Sequence, residues 1–553
     1  MQKLKNMFLK IWSKIDKFVL VIFIVSLFIF GSNIFGGYHL GHDTQIHLSN
    51  LEAWISNFKI SDIFPSKIVP IVGNDFGYGT GIFYPPFGEW LTIYVFKIVS
   101  LFGFGIFFAI KVSYLIGMFL SGLFMYYFVK KVFKNNYVAL VAAVFYMTFP
   151  YHILDIFTRD AISESYLFMF IPLIFLGIEY LFENNKKMFY LCFVSGYVGA
   201  LFSHLVLSVY LTIFVLIYLF CRYKDTFKKT NIISFLIASL FILIFSSPFI
   251  VPLAEHMMFG NYSVFTPNYM YSVSSVLDST VNLTELFQIP QKGDYTYLTI
   301  GFIPLICIIT LCVCGYKKVS NKKLFNSFIL LTIISFIMIT KFFPWGYMPN
   351  FLLNIQFTWR IEMFLAFFMS VIGGLIVVLV KKDNQKILAT VLVILSTMTG
   401  IYLVNVNDYG PFDRSGINPK EHGMGWQKEY LPVKAPHDYS VLDSRTHDII
   451  IKKGEAKISD LKSDTPNLSF KTETDGATLE LPRLYYFGYD IKLDGKKVNY
   501  KESDDGFILI NIKKSGNVTV RYNGTLAYKI SLIFCIIAAT YAIIYFYKQR
   551  GKK

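Results

Sequence analysis

Apolar residues run through this chain in long blocks, and the blocks predict its architecture. The first, Val19 to Phe35, is nearly unbroken, and with it helices are expected near 18–36, 105–129, 137–153, 161–182, 188–203, 205–221, 232–252, 297–316, 324–342, 360–380, 387–404 and 526–547. Each is about long enough to cross the hydrocarbon core of a bilayer as a helix. The polar gaps between them carry lysine clusters, at 130–136, 183–188, 221–229, 315–323, 381–386 and 548–553. Clusters of this kind mark the cytoplasmic side, which puts both termini there. The block 86–105 is interrupted by Glu89 and Lys97. A full span at that point would carry Lys130 and Lys131 outside, so an interfacial or re-entrant helix is expected instead.

This arrangement predicts a polytopic α-helical membrane protein of about twelve spans, with outer segments at 36–104, 153–160, 253–296, 343–359 and 405–525. In the last of these the period of the pattern changes to two. The stretch 485–524 alternates apolar and polar residues, with turn pairs at Asp494-Gly495, Asp505-Gly506 and Ser515-Gly516, and predicts a meander of short strands. The stretch 408–480 is polar and gives a weaker strand signal. The expected division is therefore a transmembrane domain over 1–404, an extracytoplasmic β-rich domain over 405–525, and a final span with a basic tail over 526–553.

Composition sharpens this picture. Of 553 residues, 54% are hydrophobic, 18% aromatic and only 16% charged, more apolar surface than a soluble fold could hide. The net charge of +16 would suggest a nucleic-acid partner if it formed one patch. It is spread instead through the short loops between spans, where it faces anionic lipid. The six cysteines lie in or at the ends of apolar runs and imply no disulfide framework. The start, "MQKLKNMFLKIWSKIDKF", is basic, and the run after it is too long for a signal-peptide core, so an uncleaved first helix is expected.

Chemistry-bearing residues collect in the outer segments. In "GYHLGHDTQIHLSNLEAW" (37–54), a helix starting at Thr44 would put Asp43, His47, Asn50 and Trp54 on one stripe. Ile46, Leu51, Ile55 and Phe58 would form an apolar stripe lying flat on the outer leaflet. Asp43 also suits a helix N-cap. "YHILDIFTRDAISESYLFMF" (151–170) brings Asp155, Arg159, Asp160 and Glu164 to the outer end of a span, where ionisable groups usually face a polar cavity. Asp160 reads most simply as the N-cap of that span. His204 sits between two short apolar runs, where it is either a satisfied structural group or a member of the site. "PNFLLNIQFTWRIEMFLAFF" (349–368) carries Gln356, Trp359, Arg360 and Glu362 into the membrane from outside. Arg360 or Arg159 offers the always-charged fork that suits a lipid-linked phosphate, or else anchors at headgroup level. The chain carries no Walker A loop, no H-E-x-x-H and no G-x-S-x-G.

Together, "GHD" after the first helix, "GYG…FYPP" (77–86), "TRDAISE" (158–164), "SH" (203–204) and "QFTWR" (356–360) resemble a bacterial membrane-protein family catalogued as 6-pyruvoyl-tetrahydropterin-synthase-related. That family is similar to the GT-C superfamily of membrane glycosyltransferases. "YYFGYDIKLDGKKV" looks like the hairpin that closes large bacterial membrane proteins implicated in glycosylating surface polymers. The resemblance implies transfer of a sugar from a polyprenyl-phosphate carrier to a cell-envelope glycan or teichoic-type acceptor, on the outer face of a bacterial cell membrane. It implies Asp43 as general base, and Arg360 or Arg159 for the leaving phosphate. His42, His47 and Glu164 would shape the acceptor site, while Tyr84 and Trp54 would stack on sugar rings.

Many GT-C enzymes carry two adjacent acids where this chain has Asp43-Thr44, and the next carboxylate is Glu52. A divalent cation wants more oxygen ligands than that, although His42 and His47 could join Asp43 around one. No cofactor is otherwise implied. Two other readings stay open: a transporter or flippase for a lipid-linked substrate, against which no inverted repeat is visible, and a non-catalytic scaffold for envelope assembly.

Overall fold

The computed structural model describes residues 16–57, 66–266, 272–294, 298–406 and 414–548. The basic start of the chain and the last lysines lie outside these residues. So does Phe58 of the apolar stripe.

Every block expected as a span is helical. Lys17–Phe30, Ile106–Phe133, Ile162–Phe182, Leu205–Cys221, Lys229–Phe259, Lys322–Ile339, Lys382–Val404 and Leu526–Lys548 are single helices. Lys186–Phe189 continues through a π-turn, Tyr190–Val194, into Ser195–Ser203, and Phe302–Thr310 runs into a second π-turn. Asn136–Met147 and Pro150–Phe157 meet at a 44° bend, where Pro150 cannot donate a backbone hydrogen bond to the turn before it. Side-chain caps set several starts: Asn135 accepts from Tyr137 N–H and Val138 N–H, and Asn321 accepts from Leu324 N–H.

The count of twelve spans is not reached on length. Among the described residues seven helices are long and apolar enough to cross a membrane, or eight if the bent pair is one span. Lys17–Phe30 has 14 residues and Leu205–Cys221 has 17. At 1.5 Å per residue these reach about 21 and 26 Å against a core of about 30 Å. The helix expected as interfacial, Phe87–Val99, has 13 residues and is shorter still.

The described residues group into two compact units. One is drawn from 1–42, 95–239 and 271–412, the other from 43–94, 240–270 and 413–553. The second unit thus joins the segment after His42 to the β-rich region, rather than following a single cut near residue 405.

Seven strands form one antiparallel sheet: β1 (Ile450–Asp464), β2 (Asn467–Leu484), β3 (Tyr489–Leu493), β4 (Lys496–Lys497), β5 (Tyr500–Glu502), β6 (Phe507–Ile512) and β7 (Gly516–Tyr522). The order is β4-β3-β7-β2-β6-β5, with β1 paired to β2. The meander expected from 485–524 is therefore split by β2, whose first half pairs with β7 and second half with β6. The two longest strands come from the region with the weak signal. In β1 nearly every side chain is exposed, so its sequence shows no alternation to detect. In β2 the buried Leu468, Phe470, Thr472 and Thr474 recur at every second position, two of them polar. The expected turn at Asp494-Gly495 is present, both residues taking positive φ as a tight hairpin requires.

Candidate functional site

Each unit carries a group of polar side chains, and the chain passes between them at His42-Asp43. In the first unit, the segment before Asp43 is pinned to the turn Thr158–Asp160. A Cβ on Gly41 would lie 2.6 Å from Asp160 Cβ and 3.0 Å from the Thr158 carbonyl, so only glycine allows the approach. His42 N–H donates to that carbonyl at 3.2 Å. Asp160, at φ +56°, accepts from the hydroxyls of Tyr38 and Tyr114 at 2.7 Å each. Lys111 Nζ donates to the carbonyls of Gly36 and Gly37 at 2.7 and 3.0 Å. Asp160 was expected to cap the next helix. The cap position belongs to Ala161, and the Asp160 carboxylate fastens the loop.

One residue from Asp160, Arg159 enters a buried ionic cluster. Its guanidinium meets Asp155 Oδ1 at 2.5 Å and Glu164 Oε2 at 2.9 Å. Arg360 Nε lies 3.0 Å from the same Glu164 oxygen, close in distance but without hydrogen-bond alignment. Tyr151 donates to Glu164 Oε1 at 2.5 Å, and Arg159 donates to the Tyr151 oxygen at 3.2 Å. Trp359 covers the Arg159 guanidinium at 4.6 Å. Gln356, at φ +71°, accepts from Arg360, which also donates to the Ile355 carbonyl at 3.0 Å. His204 accepts from Leu207 N–H at 3.3 Å, capping its helix, and lies within electrostatic reach of Glu164 and both arginines.

Arg159, Glu164, His204, Gln356 and Arg360 are thus brought together as the sequence suggested. The two arginines are already balanced by Glu164 and Asp155. Glu362, which could have paired with Arg360, is buried with neither carboxylate oxygen hydrogen-bonded among the described residues. Pro150, next to Tyr151, lines an apolar cavity of ≈ 470 Å³ between the bend, the start of Phe302–Thr310 and the helix Lys382–Val404.

In the second unit Asp43, half-buried, precedes the helix Thr44–Asn57, and its carbonyl accepts the His47 N–H at 3.1 Å. The stripe expected to face one open space is instead packed into protein. His47 Nδ1 meets Glu89 Oε1 at 3.1 Å with both side chains buried. Asn50 donates to the Gly423 carbonyl at 2.8 Å and accepts from the Thr80 hydroxyl at 3.0 Å. Trp54 is 3% exposed and donates to the Ser66 carbonyl at 3.0 Å, which leaves its ring no open face for a sugar. Tyr84 is half-buried, its ring 5.8 Å from that of His47. Leu51 is fully buried too, so the helix is sheathed by 78–84 and 423–430 rather than lying flat on a leaflet. His42 is exposed.

For a metal the fit is poor: His47 turns Nδ1 to Glu89, and among the described residues no three His, Cys, Asp or Glu side chains are placed to hold an ion.

Sequence reasoning missed Glu89 as the partner of His47, because it appeared only as a break in an apolar run. It also missed the segment 423–430, whose contacts lie more than 370 residues from Asn50.

No family model matches the chain, so the pterin-synthase-related label gains no support there. A protein of Lactococcus lactis subsp. cremoris (strain MG1363), described only as uncharacterized, is 24% identical over 323 residues, 56% of this chain and 51% of that protein. The chain therefore spans about half the length of that relative. Two solved structures are similar in part. ArnT from Cupriavidus metallidurans, bound to undecaprenyl phosphate, has a TM-score of 0.39 at 12% identity, covering 68% of this chain and 61% of ArnT. The archaeal oligosaccharyltransferase AglB from Archaeoglobus fulgidus, in complex with an inhibitory peptide and a dolichol-phosphate, has a TM-score of 0.37 at 13% identity, covering 72% of this chain and 56% of AglB.

Proposed function

We propose that this protein is a membrane glycosyltransferase that moves a sugar from a polyprenyl-phosphate carrier to a cell-envelope acceptor on the outer face, with Asp43 as general base. One observation carries the reading. The loop that leads to Asp43 is fastened through Gly41 and His42 to the turn Thr158–Asp160, which bears Arg159, and Asp43 is the next residue in the chain.

The chemistry suits those groups. Asp43 takes the proton of the acceptor hydroxyl as its oxygen bonds to the anomeric carbon, and the bond from that carbon to the carrier phosphate breaks with the electron pair on the phosphate. Arg159 and Arg360 stabilise the leaving phosphate. They share Glu164, so the phosphate exchanges with that carboxylate for N–H donors instead of meeting bare charge. The cavity beside Pro150 takes part of the apolar tail. His42, exposed beside Asp43, and Tyr84 meet the acceptor. His47 positions the helix through Glu89. No step is routed through a metal.

Purified protein in nanodiscs, given radiolabelled polyprenyl-phosphate sugars and envelope extract, tests this. Wild type is expected to label a polymer, Asp43→Asn to remain folded and lose transfer. Glu52→Gln, whose carboxylate pairs with Arg414 at 2.8 Å, should keep most of it. Equal transfer by wild type and Asp43→Asn would remove Asp43 from the chemistry. Absence of transfer with every donor would favour a flippase or a scaffold.

A further inference from the structure

Lys67 belongs to the second unit, and its backbone is held from two sides. Trp54 donates to the Ser66 carbonyl, and a Cβ on Gly81 would lie 2.8 Å from that carbonyl oxygen and 2.9 Å from Lys67 Cα. From there the side chain reaches two helices that lie antiparallel, Lys229–Phe259 and Leu526–Lys548. Thr525 donates to Glu255 Oε2 at 2.5 Å at one end of the pair, and the rings of Phe241 and Tyr541 stack at 6.4 Å further along. The ammonium sits 5.8 Å from the Phe249 ring on one helix and 5.5 Å from the Tyr528 ring on the other.

Among the described residues this side chain, 9% exposed, has neither a hydrogen-bond partner nor an ion pair. Glu255, the acid at the end of the facing helix, is engaged by Thr525. His256 is within electrostatic reach, but its Nδ1 donates to the Pro252 carbonyl at 2.7 Å and its Nε2 accepts the Phe487 N–H at 3.1 Å. Neither ring nitrogen is open to the ammonium. Two rings near the outer limit of a cation–π contact offset part of the burial and leave three N–H donors unanswered. Buried charges are ordinarily paired, so the counterion has to come from outside the chain.

The surroundings indicate its chemistry. Leu526–Tyr547 is long and apolar enough to cross a membrane, and Ile530, Ile533, Phe534 and Ile537 along it are exposed. Tyr528 lies in its first turn, so the ammonium sits where a span meets lipid headgroups. Lys529, exposed beside Tyr528, adds a second positive charge at that level.

We propose that Lys67 binds the phosphate of an anionic phospholipid whose acyl chains lie along the exposed apolar side of Leu526–Lys548. The phosphate oxygens accept the ammonium N–H groups as charge-assisted hydrogen bonds. A free phosphate would answer the charge but leave the apolar side uncovered. The residues of this site belong to the second unit, whereas Arg159 and Arg360 belong to the first, and the reading does not depend on sugar transfer.

Lipid binding by the full-length protein decides it. Protein in mild detergent is titrated with phosphatidylglycerol, phosphatidylcholine, polyprenyl phosphate or inorganic phosphate. Native mass spectrometry follows bound lipid, and thermal midpoints follow stability. Wild type should bind one phosphatidylglycerol about tenfold or more tightly than Lys67→Met does, while Lys529→Gln loses much less. Without lipid Lys67→Met should melt above wild type, since it buries no charge. Saturating phosphatidylglycerol should raise wild type and narrow that gap. Equal binding by wild type and Lys67→Met overturns the site. So does equal binding of phosphatidylcholine, which would remove net charge from the recognition. Inorganic phosphate that raises the wild-type midpoint as far as phosphatidylglycerol would make this a free-anion site. Polyprenyl phosphate that displaces phosphatidylglycerol from wild type and fails to bind Lys67→Met would make Lys67 part of the carrier site. Either result overturns the phospholipid assignment.

Discussion

Gly41 has protein where a side chain would go. The nearest atoms are Asp160 Cβ at 2.6 Å, the Thr158 carbonyl at 3.0 Å and Arg159 C at 3.1 Å, most of them backbone and unable to swing away. In Gly41→Ala the loop must lift, which is expected to cost about 1–3 kcal/mol of stability as overpacking. It should also cost on the order of a hundredfold in transfer, because small misplacements of a reacting group are expensive. Comparing kcat/KM with thermal midpoint separates the two effects. A different residue carries a pH signature. Lys67 is only 9% exposed, flanked by the rings of Phe249 and Tyr528, and burial lowers its ammonium from 10.5 to about 8. Unfolded chain binds more protons at this site between pH 8 and 10.5, so stability from Lys67 rises across that window, and below it the full burial penalty applies. Lys67→Met should therefore stabilise the protein at pH 7 by on the order of 3 kcal/mol, an advantage that shrinks towards pH 10. Thermal midpoints of both proteins across that range check it.

At the scale of elements, Glu164 joins three helices: its own, Pro150–Phe157 through Tyr151, and the span Thr358–Leu379 through Arg360, while Arg159 holds it from the turn between the first two. Removing one member of a buried ionic group leaves the rest uncompensated, at about 3–5 kcal/mol. Glu164→Gln is thus expected to lower the thermal midpoint strongly. Arg360→Gln should lower it less, because Arg159 and Tyr151 still satisfy Glu164, while transfer is lost in both. Unfolding and transfer measured side by side would show whether loss of Arg360 is mainly chemical. This cluster was legible in the sequence because charged residues inside apolar blocks stand out. The helix blocks were legible for the converse reason. What stayed hidden depended on partners distant in the chain. The stripe of Asp43, His47, Asn50 and Trp54 read as a face on open space, because nothing local announces that Glu89, Thr80, Ser66 and Gly423 will cover it. Strand β1 was hidden because exposure on both faces erases its period.

For the whole molecule, the question is which side of the membrane each polar region occupies, and the longest helices set the expected parity. Between Lys317 and the β-rich region lie Lys322–Ile339, Thr358–Leu379 and Lys382–Val404, all three long enough to cross. An odd number of crossings sets Lys317 and Ser515 on opposite sides. Two crossings bring Lys381 back to the side of Lys317, in keeping with the lysine clusters at both points, and Leu526–Lys548 returns the tail to that side. The shorter helices upstream, Lys17–Phe30 and Leu205–Cys221, can cross only where the bilayer thins or flanking residues snorkel, so the lysine rule has to carry the argument there. If that rule holds throughout, Lys317 is cytoplasmic and the β-rich region faces out. The check is single-cysteine labelling in intact cells, in a background freed of the native thiols, of which Cys312 and Cys314 are exposed. A membrane-impermeant maleimide should reach Ser515→Cys directly and Lys317→Cys only after permeabilisation. The reverse pattern would turn the protein over, put the β-rich region inside and overturn the assignment of the reaction to the outer face. Labelling of both sites in intact cells would mean that one of the three long helices does not cross.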